Sequence, residues 1–174
     1  MKPGLVSSDR RRADVIEIVP FQPQHAAGVV AVIVPIQRAE FDIPIALAEQ
    51  PDIQDVGAFY QSGAGNFWVA LDERKVVGTL GLLDIGNGQA ALRKMFVAAG
   101  HRGAGFSIAR RLLDALLAWC RGHDIREVYL GTTAQFHAAH RFYEKSGFRR
   151  IDRAELPPAF PVMSVDTRFY HLAL

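Results

Sequence analysis

The sequence predicts an α/β domain in which helices flank a mixed, mostly antiparallel central sheet. In the first half, short segments of alternating apolar and polar residues follow one another across tight turns, which is typical of antiparallel strands. In the second half, strands alternate with amphipathic helices, which is typical of layered α/β domains. The 174 residues are 49% hydrophobic and 22% charged, a composition that argues against disorder. We therefore expect one domain over residues 15–174.

The first sixty residues predict one strand and several helical segments. The alternating segment 15–19 predicts the first strand. Residues 22–41 favour one or two helices, which Pro35 must end or kink, but the β-branched run 29–34 fits a strand equally well. Pro51 in a first turn and apolar residues at helical spacing predict a helix over residues 51–61.

The rest of the chain predicts three consecutive strands and then alternating helices and strands. Two polar turns, at residues 72–74 and 86–88, join the consecutive strands as hairpins. An apolar stripe from Ile108 to Trp119 predicts a long amphipathic helix. In chain order, the predicted elements are strands 67–71, 75–83 and 90–97, a helix 108–120, a strand 127–131, a helix around Tyr143, a strand 148–151, a rigid proline loop 157–161 and a strand 165–174.

A glycine-bearing loop, Arg102-Gly103-Ala104-Gly105-Phe106-Ser107, connects the strand that ends at Val97 to the long helix. The first amides of a helix lack partners within the helix and carry partial positive charge, so this position suits an anion. Glycine lets a ligand approach the backbone closely, and Arg102 adds a fixed cation. The loop therefore predicts a phosphate or pyrophosphate site, although a strand–helix turn without a ligand would fit the loop alone equally well.

The loop matches neither common nucleotide motif. It lacks the Gly-Lys-Ser/Thr end of a P-loop, and Ile108 stands where a dinucleotide fingerprint has its third glycine. Instead it resembles the Arg/Gln-x-x-Gly-x-Gly/Ala signature with which the GNAT N-acyltransferase superfamily holds the pyrophosphate of acetyl-CoA. Arg102, Gly105 and Ser107 take the signature positions, with the small residue Ser107 in place of Gly or Ala.

A second string, residues 136–148, resembles the second CoA element of the same family, Asn-x-x-Ala-x-x-Phe-Tyr-x-x-x-Gly-Phe. Its matching residues are Ala139, Phe142, Tyr143, Gly147 and Phe148, whereas Phe136 replaces the usual Asn. The string also has a purely structural interpretation, in which an aromatic pair packs at a helix end that Gly147 terminates. Two such motifs in the family's order and separation favour the resemblance, which covers residues 66–152.

The resemblance implies an acetyl-CoA-dependent N-acetyltransferase with an amine acceptor, either a small molecule or a peptide. It also implies that the strand ending at Val97 splays from the strand at 127–131, which leaves an opening for the pantetheine arm of acetyl-CoA as co-substrate. The cofactor-binding residues carried over on this basis are Met95, Phe96, Val97, Arg102, Gly103, Ala104, Gly105, Phe106 and Ser107. A non-catalytic acyl-CoA-binding or regulatory module is the alternative.

For the chemistry, the resemblance makes Tyr143 the acid that protonates the departing thiolate, since a phenol is protonated at neutral pH. A role limited to packing and hydrogen bonding the sulfur is the alternative. A backbone N–H near Val97 is the candidate donor to the developing oxyanion. In the resembled family a glutamate on the strand equivalent to 90–97 often takes the amine's proton, but this strand contains none. The base therefore stays open between Asp84 and an ordered water.

The acceptor cleft is expected between segment 36–65 and the loop 156–164. The first segment is acidic, and an acidic lip would suit a cationic amine. A solvated helix face explains the same charges and is the favoured interpretation. The acidic residues are Glu40, Asp42, Glu49, Asp52 and Asp55.

Composition argues against several other classes of function. The net charge of +2 and pI of about 8.9 give no nucleic-acid footprint, and residues 1–14, with Arg10–Arg12, are expected to form a flexible basic tail rather than a signal peptide. The longest apolar run, 26–36, is too short to span a membrane. The single cysteine, Cys120, favours a reducing, cytoplasmic location. His137 and His140 lack a third ligand at metal-site spacing, so no metal is expected, and a homodimer is compatible with these features.

Overall fold

A seven-stranded mixed sheet in the order β1-β2-β3-β4-β5-β7-β6 organises the protein, in a computed structural model that describes residues 15–40, 46–103 and 105–174. The strands are β1 (Ile16–Pro20), β2 (Asn66–Asp72), β3 (Lys75–Gly86), β4 (Gln89–Val97), β5 (Glu127–Thr132), β6 (Arg149–Ile151) and β7 (Arg168–Ala173). The helices are α1 (Ala26–Pro35), α2 (Pro51–Gln54), α3 (Val56–Tyr60), α4 (Ile108–Gly122) and α5 (His137–Lys145). The predicted basic tail, Asp42 and Ala104 lie outside the described residues.

Strands β1 to β4 form an antiparallel meander, as the alternating pattern predicts. Both hairpin turns use left-handed residues: Glu73 and Arg74 have φ of 47° and 71°, and Asn87 and Gly88 have φ of 58° and 71°. Turns of this hand match the twist of the flanking strands. The order of elements and the α/β class predicted from the sequence are therefore confirmed.

The core has one layer on each face of the sheet. The long helix α4 buries Ile108, Leu112 and Leu116 against one face, along the stripe that periodicity predicts. Trp119 closes this layer from the helix end, where its indole Nε1 donates to Ala64 O at 2.9 Å. On the other face, α1, α2 and α3 pack with β2 and β3 through residues such as Val29, Ile33, Ile53, Val56, Tyr60 and Phe67.

Two predicted elements differ in detail. Residues 29–34 belong to α1, so the strand alternative is wrong; after Pro35 the chain continues as a π-helical turn (Ile36–Glu40). The predicted helix 51–61 breaks at Asp55, whose backbone leaves the helical region (φ −142°) and whose carboxylate accepts the Ala58 N–H at 3.1 Å. An acidic side chain that caps its own next turn favours such a break.

The parallel pair β4–β5 separates early. Its residues pair only from Gln89↔Glu127 to Ala91↔Tyr129. Beyond that point β4 stays paired with β3, and β5 stays paired with β7. The predicted splay between the two strands is present. Along the splay, backbone N–H and C=O groups of β4 and β5 face an opening instead of a neighbouring strand, and such groups need other hydrogen-bond partners.

Candidate active site

A cleft of about 500 Å³ fills the splay between β4 and β5. One wall is β4 itself, the opposite wall is the segment from Gly131 to Tyr143, and the loop around Met163 closes the third side. Of the predicted site residues, the cleft brings together Met95, Phe96, Val97, Arg102 and Tyr143. Gly103, Gly105, Phe106 and Ser107 form the turn into α4, beside the cleft rather than in its lining.

The turn into α4 has the backbone that an anion cradle requires. Gly103 has φ of +105°, a conformation that side chains rarely allow, and its carbonyl accepts the amides of Phe106 and Ser107 at 3.3 and 3.2 Å. Ser107 is itself left-handed, with φ of 51°. This conformation gives a physical reason for the family's glycine at the position. The first amides of the fifteen-residue helix α4 then point out of the helix end.

Phe106 serves packing more than the cradle. Its side chain is half-buried against the core layer under α4, and its ring lies 5.2 Å from the ring of His101. His101 in turn contacts Asp72, with Nε2 and Oδ2 2.7 Å apart. The loop is thereby connected to the end of β2 from one side.

The end of β4 presents backbone groups to the opening. The Ala98 N–H donates to Val77 O of β3 at 2.8 Å, so the preceding amide, of Val97, points to the other edge of the strand, into the splay. The Val97 carbonyl, on that same edge, accepts the Arg102 Nε–H at 2.8 Å. The position of the Val97 N–H supports its candidacy as an oxyanion donor.

Tyr143 is 5% exposed and stands on α5 with its hydroxyl aimed at the cleft, where it donates to Met95 Sδ at 3.7 Å. Burial raises the pKa of Tyr143 well above its usual value. The phenol therefore stays protonated over the whole working pH range, but it is a weaker acid than a free tyrosine.

The end of α5 explains the second sequence string. The Phe148 N–H donates to Tyr143 O and the Gly147 N–H to Glu144 O, at 3.0 and 3.2 Å, which is a Schellman turn. Gly147 has φ of +95°, and the rings of Phe148 and Tyr143 lie 5.6 Å apart. The string thus fixes the orientation of the helix that carries Tyr143.

A bulge in β4 directs two adjacent cations to one place. Lys94 has φ of 55°, and the β3–β4 register shifts between Thr79 and Gly81. Neighbouring side chains of a regular strand point to opposite faces, and a bulge re-aims one of them. As a result, Arg93 Nη2 and Lys94 Nζ approach the same atom, Asp52 Oδ2, at 3.7 and 3.6 Å.

Asp52 is the centre of a buried polar network. Its Oδ2 accepts the Tyr60 hydroxyl at 2.6 Å, and the side chain is 5% exposed. Lys94 Nζ donates to Gln50 Oε1 at 2.9 Å, and Gln50 exchanges hydrogen bonds with Gln37 of the π-helical turn at 2.9 and 3.0 Å. Burial lowers the pKa of Lys94, and Asp52 opposes that shift. Sequence patterns gave no signal for this network, because its members lie far apart in the chain.

Among the acidic residues of segment 36–65, the exposed Glu49 and Asp55 fit the favoured interpretation, a solvated face, whereas the buried Asp52 fits neither that face nor an acidic lip. Glu49 Oε2 accepts the Ala46 N–H at 3.1 Å and Asp55 caps α3, so both serve local turns. Asp52 is neither on a lip nor on a solvated face, because it is buried beside two cations.

The prediction of Asp84 as the base is wrong, because its carboxylate lies outside the cleft. Its carboxylate accepts the amides of Ala64 and Gly86, each at 2.9 Å, at the far end of β3 and outside the cleft lining. The carboxylate that does line the cleft is Asp166, in the loop before β7. It accepts the Met163 N–H at 2.9 Å, and it lies so close over Gly131 that a Cβ there would come within 2.5 Å of Oδ2.

His140 is buried in the first turn of α5. Its Nδ1 accepts from Arg168 at 3.0 Å and its Nε2 donates to Thr133 O at 2.8 Å. Burial lowers the pKa of His140, so the ring is neutral with both nitrogens used.

In the part of the chain that the structure describes, no cluster of three His, Cys, Asp or Glu residues could hold a metal. Burial raises the pKa of the Cys120 thiol to about 11, as a packed core thiol requires. No described helix has the length and apolar character needed to cross a membrane.

Comparisons with known proteins agree with the resemblance to the GNAT superfamily. A sequence profile described as "Acetyltransferase (GNAT) family" matches residues 33–148. The crystal structure of a GNAT-family acetyltransferase from Staphylococcus aureus Mu50 is 37% identical, with a TM-score of 0.87 over 91% of this chain and 98% of that one. PaiA N-acetyltransferase from Thermoplasma acidophilum, solved in complex with coenzyme A, is 17% identical with a TM-score of 0.70 over 91% of this chain and 99% of that one, which bears on the fold alone.

Among curated sequences, "N-acetylaspartate synthetase" of Danio rerio is 36% identical over 106 residues, which are 60% of this chain and 37% of the relative. The chain thus spans well under half the length of that relative. The profile match covers more than half of the chain, and the Staphylococcus aureus protein matches nearly end to end. On these grounds the chain belongs to the GNAT acetyltransferase family.

Proposed function

We propose that this protein transfers an acetyl group from acetyl-CoA to the amine of a small molecule or peptide, by direct attack of the amine on the thioester. The observation that carries the proposal is the continuous cleft in the β4–β5 splay. It extends from Arg102, beside the glycine loop, past Val97 and Tyr143 to the charged groups on β4. The match of residues 33–148 to the GNAT acetyltransferase profile supports acetyl-CoA as the acetyl donor.

The residues carried over from the resemblance fit parts of this ligand. The turn Gly103–Ser107 and the start of α4 suit a pyrophosphate, because they combine left-handed backbone with the positive end of a helix. Met95, Phe96 and Val97 would bind the pantetheine amides along the open edge of β4. Acetyl-CoA supplies an activated acyl group, and the Val97 N–H would hold the negative charge that develops on the thioester oxygen.

We further propose that Tyr143 donates its hydroxyl proton, or a strong hydrogen bond, to the thiolate as the C–S bond breaks. The hydroxyl's neighbour Met95 Sδ, at 3.7 Å, is a weak acceptor, so the hydroxyl can turn to a better one. The raised pKa favours the hydrogen-bonding share of this role, because full transfer to a thiolate would run uphill.

Asp166 is proposed to accept the proton that the amine loses as its nitrogen bonds to the acetyl carbon. It is a carboxylate in the cleft lining and stands over Gly131, where the splay opens. Burial raises the pKa of Asp166, while Met163, Arg93 and Lys94 oppose that shift, and a raised pKa improves a carboxylate as a base near neutral pH. An ordered water between Asp166 and the amine remains compatible with this role.

The decisive experiment measures thermal stability with coenzyme A and thiol release from acetyl-CoA across a panel of amines, amino acids and peptides. Aspartate belongs in the panel because one relative bears the name N-acetylaspartate synthetase. We expect coenzyme A to raise the melting temperature, since a ligand that binds only the folded state stabilises it. The substitution Gly105→Asp should abolish the shift by placing a negative side chain in the cradle.

Gly122→Asp is the matched control, because it puts the same side chain at the other end of α4, where a Cβ meets open space. It should keep the shift produced by coenzyme A. A melting temperature that excess coenzyme A leaves unchanged in the unmodified protein would overturn the proposal. A shift without turnover on any acceptor would leave only the acyl-CoA-binding module.

The proposed cytoplasmic location rests on Cys120, and the homodimer stays a prediction for light scattering to test.

A further inference from the structure

The acceptor end of the cleft carries charges of both signs. Arg93 and Lys94 face it from β4, and Asp166 faces it from the loop before β7. Asp52 lies behind the two cations. Side chains this charged are rarely buried unless they pair with each other or with a ligand.

Arg93 has more donors than partners. The Arg93 side chain is 12% exposed. Within residues 15–40, 46–103 and 105–174 it makes one hydrogen bond, in which Nη2 donates to the thioether Met163 Sδ at 3.5 Å. Its guanidinium carbon lies 5.5 Å from the centre of the Phe59 ring, which holds the group in place without using its N–H bonds. A guanidinium presents a fork of donors that matches a carboxylate.

The single carboxylate behind the cations does not satisfy both of them. Asp52 uses Oδ2 for the Tyr60 hydroxyl at 2.6 Å and meets Arg93 and Lys94 only at 3.7 and 3.6 Å. One negative charge beside two positive charges leaves a net positive pole on the β4 side. Arg93 and Lys94 also interact with the Asp166 carboxylate, so a ligand that brings both a carboxylate and an amine would keep the charges of the cleft balanced.

The opposite side of the cleft provides a negative pole. The Asp166 carboxylate lies over Gly131, two residues beyond the last β4–β5 pair at Tyr129. This is the point where the splay opens towards Met95 and Tyr143, the place of the reacting thioester under the proposed function. Gly131 and Arg93 each lie two residues beyond the last β4–β5 pair, Ala91↔Tyr129, so Asp166 and Arg93 stand level with each other across the opening. An ammonium group held by Asp166 and a carboxylate held by Arg93 would therefore fit one small ligand.

We propose that the acceptor is an α-amino acid or a similar small amine with a nearby carboxylate, which Arg93 and Lys94 bind while Asp166 receives the amine. This inference rests on the proposed function and names its substrate class. A lysine side chain within a peptide brings a cation without a nearby carboxylate, so the β4 cations would repel it.

The test compares two mixtures of acceptors that differ only in the carboxylate. The first is an equimolar mixture of the twenty L-α-amino acids, and the second is the matching mixture of their α-carboxamides. Thiol release should be at least about 10-fold faster with the free acids, the scale expected when a charged hydrogen bond is lost. Arg93→Met, which keeps length and packing, should remove most of this preference, and Lys94→Met should reduce it.

A binding measurement accompanies turnover and does not depend on it. In the presence of coenzyme A, a mixture of N-acetyl-L-amino acids should raise the melting temperature more than their carboxamides do, and Arg93→Met should erase the difference. Arg121→Gln, which removes an exposed cation from α4, is the control and should change neither readout. An unchanged shift with coenzyme A shows that each variant is folded.

The outcomes separate this inference from the proposed function. Equal turnover and equal binding of acids and carboxamides would overturn the carboxylate site and leave acetyl transfer standing. Absence of turnover with selective, Arg93-dependent binding of the N-acetyl acids would support the site and overturn the enzyme assignment. Absence of both turnover and selective binding would overturn the carboxylate site.

Discussion

The two ends of the cleft are built in different ways. The end proposed for coenzyme A comes from two contiguous strings, residues 102–107 and 136–148, each of which makes its own local turn. The proposed acceptor end is assembled from four separate stretches, represented by Gln37, Gln50 with Asp52, Arg93 with Lys94, and Met163 with Asp166. A shared ligand can therefore be predicted from short motifs, whereas acceptor choice depends on long-range packing.

This difference also decides which substitutions separate binding from chemistry. Side chains at the proposed coenzyme A end contact backbone atoms and apolar side chains. A conservative change there therefore removes either a binding contact or a chemical group, one at a time. Side chains at the acceptor end share partners, as Arg93 and Lys94 share Asp52, so their effects are coupled.

The largest expected effect is on Tyr143 at the coenzyme A end. Tyr143→Phe keeps the ring between Phe148 and Met95 and removes only the hydroxyl. Turnover on a confirmed acceptor should fall about 10²-fold, the usual scale for losing a general acid, while the dissociation constant for acetyl-CoA stays nearly the same. Steady-state kinetics with calorimetric binding makes the measurement.

Phe142→Leu, at the neighbouring position that also lines the cleft, is the comparison variant. It changes packing without touching a hydroxyl, so it should affect affinity at least as much as turnover. Parallel losses of turnover and affinity in Tyr143→Phe would make Tyr143 a binding residue instead.

The next effect is at the acceptor end, where Asp166→Asn should lower turnover strongly without lowering stability. An amide can still accept the Met163 N–H, but it cannot take a proton from the amine. Because burial raises the pKa of Asp166, the folded state favours the protonated carboxyl, and ionisation at neutral pH costs stability. The variant should therefore melt at the same temperature as the unmodified protein, or higher, at pH 7.5.

The pH dependence makes this prediction sharper. Stability attributable to Asp166 falls as pH rises from the ordinary carboxyl range through the raised pKa, so the advantage of Asp166→Asn should vanish as the pH drops below about 4. The unmodified enzyme should lose activity as Asp166 becomes protonated, and the variant should lack that limb. Asp114→Asn, an exposed carboxylate on α4, is the control. If Asp166→Asn keeps full turnover, Asp166 is not the base, and an ordered water takes that role.

The order of elements could be predicted from the sequence because local and periodic patterns indicate it, whereas the splay followed from the resemblance to the GNAT superfamily. The coenzyme A site rests on two local strings and stays a prediction. The stripe on α4 and the turn at Gly147 are both visible within a few residues of sequence. The charged network was invisible, since Asp52 and Lys94 are forty-two positions apart and meet only after α2 packs on the sheet. The same reasoning chose Asp84 by its closeness in sequence, although its carboxylate is bound to two turn amides.

The smallest expected effect tests the local character of the coenzyme A end. Gly147→Ala places a side chain at φ of +95°, which should cost about 1–2 kcal/mol of the free energy of unfolding. Gly122→Ala, also a glycine near a helix end but outside the left-handed region, should be neutral or slightly stabilising. Chemical denaturation of both variants gives the difference. Because the Schellman turn is fixed by its own hydrogen bonds, the folded fraction of Gly147→Ala should keep its affinity for coenzyme A and its preference among acceptors. A changed acceptor preference would instead show that the end of α5 communicates with the acceptor end, and the two ends would no longer be independent.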